Sequence, residues 1–447
     1  MNSWTDKIKA LGPGLLYAGA AIGVSHLVQS TQAGAKYGFL FVAVIVIVHA
    51  VKYPFFVLGP RFAQREGMHL AEGFAGLGRW ALALLIALTL FTMFSLQAAV
   101  TVVTAGLAQL LTGWEAPAWL WSAMLLGLCL IILRFGDYNL LDRGMKVLMI
   151  ILALSTAGAF VGSFFFDGQM SVTPLAFSWE NTDDVSFLIG FLGWMPAPLE
   201  IALWHSLWTM AKQRQMGATE PITGDFDFKV GFYGAGILAI LFLVLGANVL
   251  YGSGVELSQT AGGFAVQLVD LYTTTLGSWA RPAILVAAFT TMFSTTLACL
   301  DATPRLMAAC IGLWKGHEAM GENVGAKRSA VPGEGEALGT SEAPVGREAL
   351  EGDRERSERR NYLLWTLILS LVAVFILRFF IENMAEMVRL ATVAAFLAAP
   401  ALAWLSIRVI RKNSSSNLWS IWELRLAYLG LIFFSVLALF YLTRLLV

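Results

Sequence analysis

Charge is scarce in this chain. Asp, Glu, Lys and Arg make up 13% of its 447 residues, about half the roughly 25% of an ordinary soluble domain. The 30 basic side chains balance the 30 acidic ones, which removes any general pull toward nucleic acid. Cysteine is nearly absent: Cys129, Cys299 and Cys310 lack metal-ligand spacing and fall in apolar runs, so they read as buried small residues rather than as a disulfide framework. Stretches of about ten alternating polar and apolar residues, which a membrane barrel needs, are also lacking. What fills the chain instead is apolar: 57% of residues are hydrophobic and mean hydropathy is +0.70. So much apolar surface requires lipid as solvent, and backbone groups in lipid must be satisfied internally, so the expected fold is an all-α integral membrane protein. The lipid bilayer is its first partner.

Apolar runs of roughly twenty residues predict spans near 12–36, 39–60, 80–112, 117–134, 146–166, 186–211, 230–251, 282–314, 362–381, 386–409 and 418–443, about eleven in all. The polar start Met1 to Lys9 precedes an apolar stretch without a small-residue cleavage site, so the first span is expected to be retained. One set of loops holds Arg61, Arg65, Arg79, Arg134, Arg143, Lys146, Lys212, Arg214, Lys229, Arg411 and Lys412. The alternate loops 167–185 and 252–280 have neither Lys nor Arg. That asymmetry predicts a cytoplasmic N-terminus and an outside C-terminus, in a bacterial inner membrane. The domains read as 1–314 (spans one to eight), 315–361 and 362–447 (spans nine to eleven). The middle segment is rich in Gly, Glu and Ala and ends in Arg354, Arg356, Arg359 and Arg360, the composition of a disordered cytoplasmic linker.

Two spans carry residues that interrupt a helix. The first has Gly23-Val24-Ser25-His26 at mid-span, and the sixth has Met195-Pro196-Ala197-Pro198, where each proline removes a backbone donor. Paired breaks five spans apart point to a transporter site at the midplane, where freed carbonyls and half-helix ends supply ligands. Simple packing kinks are the alternative for either break alone.

Gly12-Pro13-Gly14-Leu15-Leu16 with Gln32-Ala33-Gly34-Ala35, the loop Arg65-Glu66-Gly67 to Leu70-Ala71-Glu72, and Met195-Pro196 with His205-Ser206 resemble the Nramp family of proton-coupled divalent-metal transporters. The resemblance covers most of the chain. It implies the leucine-transporter fold: two inverted repeats of five helices, spans one to five and six to ten, with helices 1 and 6 broken. It departs from the family where the chemistry lies. The family's Asp-Pro-Gly-Asn falls on Gly23, Val24, Ser25 and His26. Its Met-Pro-His falls on Ala197, Pro198 and Leu199, or in a second register on Met195-Pro196. Its third-helix acidic pair falls on Gln97 and Val100. With neither carboxylate nor soft sulfur, such a site offers little to a transition metal.

The residues expected around the substrate are therefore Gly23, Ser25, His26, Ala197 and Glu200, the last in the first turn after the second break, where a helix dipole favours a carboxylate. His26 either faces the cavity or caps the following half-helix. In the eighth span, Ser294 and Thr295, within Thr290, Thr291, Ser294, Thr295 and Thr296, are candidates for a coupling ion such as sodium, by analogy with sodium-coupled members of the wider fold; plain helix packing is the rival reading. Asp301 with Arg305, and Glu386 with Arg389, are expected to form internal ion pairs. The leading reading is an Nramp-like secondary transporter of a small cation or polar solute, not coupled to protons. The alternatives are an ordinary metal importer using His26, Glu200 and carbonyls as replacement ligands, and a transport-inactive receptor with 315–361 as its output. No nucleophile and base pair stands out, so neither an enzyme nor a cofactor is expected. The combined change Gly23→Asp, His26→Asn and Ala197→Met is expected to raise manganese binding.

Overall fold

The computed structural model describes residues 13–135, 138–165, 176–216, 224–329, 344–380, 383–412 and 418–446. Every regular element among them is helical, as expected where neighbouring lipid offers no hydrogen bonds. Eight described helices are long and apolar enough to cross a membrane. They form the second span (Leu40–Glu66), the third (Arg79–Thr112), the fourth (Ala118–Phe135) and the seventh (Gly224–Leu250). The eighth and ninth lie within Arg281–Ser329 and Pro344–Phe379, and Met384–Lys412 and Ile421–Leu446 are the tenth and eleventh. The fifth is Tyr138–Ser163. The first and sixth fall short of a continuous crossing because each is divided: Pro13–Ala21, Ser25–Ser30 and Thr31–Tyr37, and Thr182–Trp194 and Ile201–Met216. Among the described residues the sum is eleven, the number expected, with boundaries shifted by a few residues. The centre of the segment 315–361, residues 330–343, lies outside the described residues.

Two helices were not anticipated. Leu70–Gly76 follows the second span, capped where the His69 amide donates to Glu72 Oε2 at 2.8 Å. Ala261–Leu276 occupies the loop 252–280, started by Thr260, whose hydroxyl accepts from Gly263 N. It is amphipathic, burying Phe264, Leu268 and Tyr272 and exposing Asp270, and so escapes a search for continuous apolar runs.

Packing follows the inverted repeat. The first span packs on the seventh, and the second half of the sixth packs on the second, the same pair of contacts exchanged five positions along the chain. Small residues permit both. A side chain at Gly34 would run into the backbone of Leu243, one at Gly246 into that of Thr31, and one at Gly59 into that of Ala202, the close approach by which helices associate in lipid. The third and eighth spans share a seam of hydroxyls: Thr104 Oγ1 lies 2.7 Å from Thr296 Oγ1, and Gln97 Nε2 donates to Thr296 O at 3.3 Å. Phe91, Ile131, Leu154, Ile237, Leu371 and Val436 stand exposed around the outside, facing where lipid would be. Cys129, Cys299 and Cys310 are free and buried, as expected.

Asp301 and Arg305 do pair, at 2.5 Å, and Tyr362 also donates to Asp301 at 2.8 Å. The pairing of Glu386 with Arg389 is corrected: Arg389 turns to Asp183, 3.6 Å away, because the tenth span lies against the first half of the sixth. Near that end Asp184 joins the two broken spans. It accepts from Lys36 Nζ at 2.9 Å, Tyr37 Oη at 2.8 Å and Ser178 N at 3.1 Å. Replacing Asp184 by alanine is expected to cost about 2 kcal/mol, since hydrogen bonds to a charged group are worth roughly 1.5–3. Thermal unfolding of the variant in detergent checks this, and an unchanged midpoint would show the clasp to be idle.

Candidate functional site

The break in the first span begins one residue earlier than expected, at Ile22, and its cause is a rerouting of amides. The Gly23 amide, which would bond Gly19 O in a continuous helix, donates to Ala21 O at 3.0 Å. The His26 amide, which would bond Ile22 O, donates to Gly23 O at 3.1 Å. The chain then resumes as a wide π-helix over Ser25–Ser30 rather than as open coil. Two carbonyls, Gly19 and Ile22, are left without helical partners. Thr295 of the eighth span reaches both: its Oγ1 lies 3.0 Å from Gly19 O, 3.4 Å from Ile22 O and 3.1 Å from Thr291 O. One hydroxyl proton serves one carbonyl at a time, so at any moment two of these three oxygens lack that donor. Ser294 is buried next to Thr295, and none of the hydrogen bonds among the described residues uses its hydroxyl.

The sixth span opens over 195–200 as its prolines demand. The Ile201 amide donates to Pro198 O at 3.1 Å, leaving Ala197 O free of its helical partner. The two breaks face each other. Ser25 Oγ lies 3.3 Å from Pro196 O, and a cavity of about 20 Å³, room for roughly one water, is bounded by Ala21, Ser25, Val100, Trp194, Ala197 and Thr295 among others. Of the two registers considered for the sixth span, the first puts Ala197 on this cavity, whereas Met195 is buried and is not among the lining residues.

Gly23, Ser25, Ala197 and Thr295 thus come together, while His26 and Glu200 do not join them. His26 Nε2 lies 2.9 Å from Ala235 O of the seventh span, to which it donates, and Nδ1 lies 2.7 Å from Ser25 Oγ. Both ring nitrogens lie within hydrogen-bond distance of protein neighbours, so the imidazole fastens the π-helix to the seventh span and does not line the cavity. Glu200 turns toward the third span, where Thr92 Oγ1 donates to its Oε1 at 2.5 Å. Gln97 serves the seam with the eighth span, and Val100 lines the cavity. Among the described residues no three His, Cys, Asp or Glu side chains cluster as a metal would need.

Lys52 escaped the sequence reading. It is fully buried at the middle of the second span, and its Nζ donates to Gly193 O at 2.9 Å and Ala197 O at 2.8 Å. A lysine inside an apolar run is itself the signal that could have found it, since an intramembrane charge is rarely incidental.

A bundle of membrane-length helices whose two broken members face each other across a small cavity has the architecture of a secondary transporter. The chain belongs to the Nramp family: the family's profile, natural resistance-associated macrophage protein-like, matches residues 14–326. An uncharacterized protein of Pasteurella multocida (strain Pm70) is 30% identical over 417 residues, covering 92% of this chain and 87% of the relative. A manganese transporter of Eremococcus coleocola superposes with a TM-score of 0.68 at 15% identity, covering 98% of this chain and 87% of that one. MhsT, solved with L-phenylalanine, superposes at 0.56 and 15% identity over 96% and 98%. These likenesses establish the leucine-transporter fold.

Proposed function

We propose that this protein is a sodium-coupled transporter of a small solute, and that it does not carry transition metals with protons in the manner the family resemblance implies. The observation that supports this most is the convergence of Gly19 O, Ile22 O and Thr291 O on the Thr295 hydroxyl, with Ser294 beside it. Oxygens around a cation held at about 2.4 Å lie about 3.4 Å from one another, close to the separations found here. Neutral oxygens suit a monovalent ion; a divalent cation would need carboxylates to offset its dehydration. Ser25 and Ala197 border the substrate cavity and Gly23 packs against Thr295 at its edge, and Gln97 and Val100 leave the third span without an acid at the places the family's proton carriers would take. The basic loops set the N-terminus in the cytoplasm and the C-terminus outside.

Purified protein should melt at a higher temperature in sodium chloride than in choline chloride. Saturation at 100 times the dissociation constant is worth about 2.7 kcal/mol, a gain of several degrees. Thr295→Ala should abolish that response, and manganese gradients should not acidify proteoliposomes. Equal melting in the two salts, or manganese-driven acidification, would sink the proposal, and the second outcome would favour the ordinary metal importer.

A further inference from the structure

Tryptophan stands on either side of the sixth-span break. Trp194 is the last residue of the first half, and Trp204 lies in the first turn of the second. Both residues border the cavity and both are buried, yet neither indole N–H has a hydrogen-bond partner among the described residues. A buried tryptophan N–H ordinarily finds an acceptor. Phenylalanine would fill much of the same space without hiding a donor, so packing alone does not account for tryptophan at both places. The other hydroxyls on the cavity are already engaged. Ser25 Oγ lies 2.9 Å from Ala21 O and 3.3 Å from Pro196 O, and Thr295 Oγ1 serves the carbonyls of Gly19, Ile22 and Thr291. Glu200, beside the break, is held by Thr92 of the third span and does not border the cavity. The unmet nitrogen and oxygen groups of the lining side chains are therefore donors alone.

We propose that the substrate is a small organic carboxylate, held through its oxygens by the indole N–H groups of Trp194 and Trp204. An ionised carboxylate only accepts hydrogen bonds, which matches a lining whose unmet groups only donate. An amide or an ammonium would bring N–H groups of its own, for which the lining side chains hold no unmet acceptor. Hydrogen bonds to a charged acceptor are also roughly twice as strong as those between neutral groups. The cavity as it stands has room for about one water, so the carboxylate is admitted when the two halves of the sixth span part. Because the two donors sit on separate halves, a carboxylate bonded to both draws the halves together again. Its charge needs an opposite charge nearby in a low-dielectric interior. Sodium among the Thr295 oxygens, on the same cavity, supplies one. The inference rests on reading this cavity as the substrate site.

Full-length protein in detergent, at one fixed sodium concentration, is melted with sodium acetate, sodium butyrate or sodium benzoate, and with acetamide or methylammonium chloride as the contrasting probes. At least one carboxylate should raise the melting temperature by several degrees, and neither acetamide nor methylammonium chloride should do so. Trp194→Phe and Trp204→Phe keep an aromatic ring and remove the N–H, and each should weaken binding of that carboxylate at least tenfold. If one variant does not fold, the other carries the test together with the wild-type series. A wild type that responds to none of the carboxylates would overturn the proposal. So would a carboxylate whose affinity the folded variants leave unchanged, or an equal response to acetamide. Melting in sodium chloride and in choline chloride, without carboxylate, separates the two readings. Tryptophan-dependent carboxylate binding without a sodium response upholds this proposal and removes the ion at Thr295, whereas a sodium response without carboxylate binding does the reverse.

Discussion

Replacing Gly23 by aspartate is expected to damage the protein rather than to install a metal ligand. A Cβ at this position would lie 2.8 Å from both Cγ2 and Oγ1 of Thr295, closer than carbon or oxygen atoms approach without displacement. Thr295 cannot yield freely, because its hydroxyl is set among the carbonyls of Gly19, Ile22 and Thr291. Gly23→Ala should therefore cost about 1–3 kcal/mol, the usual penalty of overpacking. Gly23→Asp should cost more, since three further heavy atoms and a charge must fit into the same occupied space. The combined change Gly23→Asp, His26→Asn and Ala197→Met should be less stable still, contrary to the gain in manganese binding expected from sequence. Thermal unfolding of Gly23→Ala, Thr295→Ala and the double variant gives a cycle in which the second change relieves the first. A Gly23→Asp protein with wild-type stability and tight manganese binding would refute the account.

Loss of the His26 ring is expected to have an effect of comparable size. His26→Ala leaves the Ala235 carbonyl buried without its donor and opens a hole among packed helices, together about 3 kcal/mol. Glutamine, whose amide nitrogen can reach roughly where Nε2 sits, should recover part of that stability. Both variants should keep whatever melting response to sodium the wild type has, because His26 does not touch the Thr295 oxygens. Unfolding midpoints with and without sodium chloride decide the matter. A stable His26→Ala protein that no longer binds its solute would place the imidazole in the substrate site after all.

The two breaks differ in how far sequence alone could reach. Pro196 and Pro198 remove donors wherever they stand, so the opening of the sixth span follows from residue identity. At the first span glycine only permits a break. Where it falls depends on the Gly23 and His26 amides choosing new acceptors, and on Thr295, 272 residues further along the chain, supplying a donor to the carbonyls they abandon. The spans were legible because lipid demands long apolar runs, whereas Ala261–Leu276 was not, because a helix half buried on protein needs no such run. His26 shows the limit most plainly. Its place beside a break suggested a ligand, but a π-helix rotates side chains relative to an α-helix, and the ring points to Ala235 of the seventh span. Lys52 and Ala197 lie on different spans, so no local pattern links the amine to the carbonyl it occupies.

The contact between the first and seventh spans has a mechanical consequence. Backbone meets backbone at Gly34 with Leu243, at Gly246 with Thr31, and at Gly231 with Gly14, three levels of one seam at which no side chain separates the two helices. Two rods joined in this way cannot slide or roll independently without separating, and Asp227, whose Oδ2 accepts from the Gly14 amide at 2.6 Å, pins the end of the seam. The eighth span meets the first through the Thr295 hydroxyl, which can trade one carbonyl for another at small cost. Any motion that opens the cavity would therefore swing the first and seventh spans as one lever, with the exchangeable Thr295 hydroxyl as its sliding contact.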